Sequence, residues 1–65
     1  MNKPIIISTS RELKNGKHEP HVILRFIDGP KITERPLSWD REFSTKEEAD
    51  KYAMLQAENY IKDNL

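Results

Sequence analysis

Apolar and β-branched residues crowd two stretches of the chain. From Pro4 to Ser10 the β-branched residues are Ile5, Ile6, Ile7 and Thr9, with Ser8 and Ser10 between or beside them. From His21 to Ile27 the chain is rich in Val, Ile and Phe. Both read as strands. Asn15-Gly16 lies between them, and this dipeptide favours a two-residue type I′ hairpin turn. Such a turn pairs Lys14 with Lys17. Ile7 then faces Leu24, Ile5 faces Phe26 and Thr9 faces Val22, all on one side of the hairpin, as a period of two requires. The other side carries Ile6 opposite Arg25, Ser8 opposite Ile23 and Ser10 opposite His21. Glu12 falls opposite Glu19, an unfavourable like-charge contact. The outer half of the hairpin is therefore expected to fray or bulge.

A second turn is expected at Asp28-Gly29-Pro30. A residue before proline is pushed to extended ψ, which conflicts with the second central position of a type I′ turn. A loop of three or four residues fits better. With three, Ile32 lands opposite Phe26, and Thr33 and Arg35 join the other face. The third strand runs from Lys31 to Arg35 and stops at Pro36, and its polarity and that proline mark an edge. Leu37 to Phe43 reads as either a fourth short strand or an extended connector.

The helix has the clearest pattern. Thr45 as N-cap and Glu48 three residues on form a capping box. Ala49, Tyr52, Ala53, Ala57, Tyr60 and Ile61 recur at helical spacing along one stripe. Lys46/Asp50, Glu47/Lys51 and Glu58/Lys62 stand four apart as ion pairs. The helix is expected from Lys46 to Asp63. The fold class is thus α+β: a three-stranded antiparallel meander, with or without a short fourth strand, and one C-terminal helix packed on one face. Residues 1–65 form a single small domain. The helix is expected to cover Ile5, Ile7, Leu24, Phe26 and Ile32 and to leave the opposite face open.

Composition narrows the chemistry. The 65 residues carry 11 basic and 11 acidic side chains and no cysteine. A disulfide framework and a cysteine-based zinc site are excluded. A domain this small has a shallow core and little stability to spare. No stretch is apolar enough to span a bilayer. Met1-Asn2-Lys3-Pro4 does not open a secretory signal. A cytoplasmic protein is expected. Charge is uneven: residues 1–41 hold 8 basic and 5 acidic side chains, and residues 42–65 hold 3 and 6.

Candidate catalytic groups are few. The two glycines are far apart, so no glycine-rich phosphate loop exists. His18 and His21 stand three apart, and on a strand their rings diverge, which disfavours a shared metal. Ser10, His21 and Glu19 fall on one face of the expected register. A flat solvated sheet gives such a trio no oxyanion hole and no buried acid. No catalytic residue, cofactor, metal or small-molecule substrate is expected. Trp39 is read as completing the core rather than as a partner anchor.

The expected function is a small non-enzymatic interaction protein. It would bind a protein partner, or itself as a homodimer, through the open sheet face. Ile6, Ile23, Arg25 and Ile27 are the expected interface. The alternative is nucleic-acid binding by the same face through Arg25 and Arg35, with Lys14, Lys17 and Lys31 nearby. Zero net charge disfavours it, because phosphate-driven binding needs a basic footprint.

The element order, with Phe43-Ser44-Thr45-Lys46-Glu47-Glu48-Ala49 at the strand-to-helix junction, resembles the arm-type DNA-binding domains of phage and transposon integrases. There a three-stranded sheet enters the major groove and a C-terminal helix backs it. The resemblance implies DNA binding by the sheet. This chain lacks the basic excess that such domains show.

Overall fold

The structure is a computed structural model and describes residues 3–64. Met1, Asn2 and Leu65 lie outside the described residues, and with them half of the Met1-to-Pro4 stretch that bears on a secretory signal. Five strands precede one helix: β1 (Ile5–Ser8), β2 (Arg11–Glu12), β3 (His18–Glu19), β4 (His21–Asp28), β5 (Lys31–Ser38) and α1 (Lys46–Asn64). β1, β4 and β5 form an antiparallel sheet with β4 in the middle, and β2 and β3 form a second small pair. This is the expected small α+β fold. Its thinnest dimension is 16 Å, enough for one helix on one sheet and no third layer.

The first hairpin turns differently from the expectation, and the consequence is large. The loop has three residues, Lys14-Asn15-Gly16, not two. The Leu13 N–H donates to the Lys17 carbonyl at 2.7 Å, and the Gly16 N–H donates to the Leu13 carbonyl at 3.0 Å. Only Gly16 has positive φ, at 84°. A type I′ turn needs it at Asn15 too. Asn15 instead uses its side chain, accepting the Lys17 N–H on Oδ1 at 2.9 Å, the habit that makes asparagine a turn residue.

One extra loop residue slips the register by one. Ile5 pairs with Arg25, Ile6 with Leu24, Ile7 with Ile23 and Ser8 with Val22. The expected pairs Ile7–Leu24 and Ile5–Phe26 are thereby corrected. A slip of one sends every β1 side chain to the other face. Glu19 now stands opposite Arg11, and the two form an ion pair at 2.9 Å. The expected clash with Glu12 is gone. The ladder breaks in two at Ser10 and Pro20, because Pro20 has no N–H to give.

The second turn is also corrected, in the opposite sense. Ile27 pairs with Ile32 and Asp28 with Lys31, so the loop is Gly29-Pro30 alone. Gly29 has φ 62°, and proline at the next position must have negative φ. That combination is the type II′ hairpin turn, with glycine at its first central position. Ile32 therefore joins the face away from the helix. Thr33 and Arg35 pair with Phe26 and Leu24 on the helix side. β5 also runs through Pro36, where a stop was expected. Pro36 faces Ile23 at a position between ladder bonds, so its missing N–H falls on the free edge. The segment from Leu37 divides: Leu37 and Ser38 finish β5, and Phe43 makes a lone bridge to His18.

The core is small and built on short side chains. Val22, Leu24, Ala53 and Ala57 are fully buried, with Ile6, Phe26, Leu37, Trp39, Tyr60 and Ile61 packed around them. Three alanines, at 49, 53 and 57, are the buried residues of α1. They let the helix axis approach the sheet closely. Trp39 meets Tyr52 edge-on with ring centroids 6.2 Å apart, and Phe43 lies 5.2 Å from the same ring. Trp39 thus packs on the core from the helix side.

The helix begins where the capping box places it and ends one residue later than expected. The Glu48 N–H donates to Thr45 Oγ1 at 3.1 Å. Thr45→Ala should cost about 1 kcal/mol. In a domain of this size that corresponds to a fall of roughly 4–8 °C in melting temperature. A melting curve unchanged by the substitution would remove Thr45 from the cap.

Candidate interaction surface

The face of the sheet away from α1 is set by the parity of β4. Val22 and Leu24 point to the helix, so Ile23, Arg25 and Ile27 point away. Their partners follow them: Ile5 and Ile7 from β1, and Ile32, Glu34 and Pro36 from β5. Five isoleucines therefore share one face. Ile5, Ile27 and Ile32 are 49%, 45% and 61% exposed. Water-facing positions of a sheet are ordinarily polar. A contiguous apolar patch of this kind marks a contact surface more often than chance exposure does.

One charge of each sign stands within this face. Arg25 and Glu34 are direct cross-strand neighbours. Arg25 donates from Nε to Glu34 Oε2 at 2.8 Å, and its Nη2 lies 2.7 Å from the same oxygen. Both side chains keep more than a third of their exposure, so the pair adds little to the stability of the single chain. At the turn end, Lys3, Ile5, Arg25, Ile27 and Gly29 line a shallow depression.

Of the four expected interface residues, Ile23, Arg25 and Ile27 lie on the open face. Ile6 does not: it packs against the buried core beneath the helix. Ile5, Ile7 and Ile32 take its place. The clue to Ile5 and Ile7 was electrostatic. Only the slipped register pairs Glu19 with Arg11, whereas the expected one set two glutamates face to face.

The basic residues named for nucleic acid do not share a surface. Arg35 is on the helix side, where its Nη1 donates to the Tyr60 hydroxyl at 2.6 Å. Lys31 follows the same parity. Lys14 and Lys17 sit at the hairpin tip, at the opposite end of the sheet from the Gly29-Pro30 turn. Of the basic residues named, only Arg25 lies on the open face, and it is paired with an acid.

The remaining polar groups hold the hairpin to the helix or lie apart. Ser10 is only 8% exposed; it lies near Asp50, but its hydroxyl closes no hydrogen bond among the described residues, to Asp50 or to His21. The Asp50 Oδ2 accepts from Lys46 Nζ at 2.8 Å. Burial pulls the Asp50 carboxyl upward, but the Lys46 ammonium bonded to it, helped by nearby Ser10, outweighs burial and holds the group below its ordinary value. A carboxyl lowered by folding stabilises the folded state fully above its ordinary range near pH 4, and that support fades as pH falls through the folded value. Asp50→Asn should flatten the acid limb of the stability curve below about pH 4, read by urea titrations at several pH values. An acid limb of unchanged steepness would mean that Asp50 carries no such linkage. His21 bonds through Nδ1 to the Thr9 hydroxyl, and His18 lies on the other side of the strand. The trio Ser10, His21 and Glu19 is not assembled.

No helix among the described residues is long and apolar enough to cross a membrane. Compared with family models, with curated proteins and with solved structures, the chain matches none.

Proposed function

We propose that this chain is a small non-enzymatic interaction module that binds a protein surface, its own or another's, through the open face of its sheet. One observation carries the reading: five isoleucines lie side by side where the helix cannot reach. Covering an isoleucine contributes about 1.5–3 kcal/mol relative to full exposure. In a domain with so small a core, that much apolar surface is well matched to an interface. The scattered basic residues and zero net charge leave little for a phosphate backbone to grip.

A photo-crosslinking amino acid at position 23, compared with one at exposed Glu58 on the helix, tests this in cell extract. Protein adducts from position 23 and few from position 58 are expected. Adducts with nucleic acid at position 23 would favour the alternative use of the face. Equal labelling from both sites would remove the face from consideration.

A further inference from the structure

We propose that the occupant of the open face is a second copy of this chain, seated by a two-fold axis that exchanges the Arg25–Glu34 pair between copies. The inference rests on the interaction reading above and commits it to one partner. Its basis is the self-complementarity of the face. Within the three strands the face carries one full positive and one full negative charge, on adjacent strands, ringed by isoleucine. A two-fold contact must satisfy each patch with itself. An axis parallel to the strands, between β4 and β5, lays β4 of one copy over β5 of the other. Arg25 then meets the partner's Glu34, and Glu34 meets the partner's Arg25, while Ile23, Ile27 and Ile32 interleave around them.

The atoms for such an exchange are free. Both bonds from Arg25 fall on Glu34 Oε2. Among the described residues, Glu34 Oε1 and Arg25 Nη1 take no other side-chain partner. A ring of two arginines and two glutamates gives each desolvated charge two opposite neighbours, which a lone buried pair lacks. The ring sets register and orientation, and the isoleucines supply the affinity.

Face packing also suits this sheet better than edge pairing. Pro36 removes a donor from the free edge of β5, and β1 at the other edge has only four residues. Both features blunt strand addition. Two sheets packed face to face sit about 10 Å apart and roughly 30° from aligned. The assembly is then helix, sheet, sheet, helix. The footprint is modest: the overlap is two strands of eight residues, roughly 27 Å by 10 Å, and β1 with Ile5 and Ile7 lies beside it rather than under the partner's sheet. That is below the area of a standard stable interface, about 800 Å² per partner. The dimer should therefore dissociate on dilution.

Sedimentation equilibrium of the full chain, from roughly 1 µM to 1 mM, tests the proposal. A concentration-dependent monomer–dimer equilibrium is expected. Ile23→Lys should weaken it by about 100-fold or more, with the circular dichroism spectrum unchanged. Ile32→Lys, at an already exposed edge position, should do the same and guards against a folding artefact. Arg25→Glu and Glu34→Arg should each weaken self-association by at least about tenfold. Mixed in equal amounts, those two variants should recover a heterodimer, because every charge contact between them is then opposite in sign. A role confined to one chain predicts no recovery on mixing. A wild-type chain that stays monomeric throughout, a dimer indifferent to both lysine variants, or single charge variants that mix without gain would each overturn the proposal. Crosslinks from position 23 to a different protein would leave the interaction reading standing while this inference fell.

Discussion

Leu24→Ala should cost about 3 kcal/mol or more and leave the domain largely unfolded at physiological temperature. Leu24 is fully buried at the centre of β4, against Ala53 and Ala57. Alanines have no side chain that can swing into the space a leucine leaves. The cavity therefore stays open, and the cost belongs at the upper end of the usual range for such truncations. Ile23→Ala, one residue away on the other face, should cost under about 1 kcal/mol at dilutions where the chain is single. Urea titrations of both variants at low concentration make the comparison. Equal losses would mean that the open face is not open.

The second large effect separates the two registers by chemistry. Ile6→Lys places an ammonium beneath the helix, beside Leu24. An unpaired charge in that position should cost several kcal/mol and abolish cooperative unfolding. Ile5→Lys adds a charge where the side chain is already 49% exposed, and should shift stability by no more than about 0.5 kcal/mol. Were the hairpin turn two residues long, the order of the two effects would reverse, because Ile5 would face Phe26 under the helix. Thermal melts of the pair, at concentrations too low for association, decide between them.

The register was the hard part to read, and the reason lies in the loops. Counting apolar pairs favoured a two-residue turn at Asn15-Gly16, since it gathered Ile5, Ile7 and Thr9 opposite β4. The count was misleading because it assumed that the apolar side of β1 is the covered side. In the folded chain β1 gives only Ile6 and Ser8 to the helix and turns Ile5 and Ile7 outward. The pair Glu12–Glu19 was the dissenting evidence. Read as a veto rather than as local fraying, it leads to the Arg11–Glu19 ion pair and the correct slip. At the second turn, the order Gly29-Pro30 narrows the choice without making it. Glycine first and proline second is compatible with a type II′ turn and incompatible with type I′.

The candidate surface was half legible for the same reason. Ile23, Arg25 and Ile27 belong to β4, whose own alternation sets their face once Val22 and Leu24 are buried. Ile6 and Arg35 lie on flanking strands, and both changed sides when the loops changed length. The nucleic-acid reading suffers most from this, because it needed Arg25 and Arg35 together.

What the amino-acid order determined alone is whatever rests on contacts a few residues apart. The start of α1 at the Thr45 hydroxyl, its alanine stripe, the sites of both turns and the alternation within β4 are of this kind. So is the edge character of β5, since a proline without an N–H tolerates no partner on that side. The tertiary structure alone decided how the strands align. Two-residue and three-residue hairpin loops differ little in local energy, whereas register is chosen by the whole ladder, its ion pairs and the helix packed across it. Because side chains alternate with a period of two, that choice moved β1 and β5 to the opposite face relative to β4. It gathered five isoleucines around one arginine and one glutamate, a surface that no segment of the chain displays by itself.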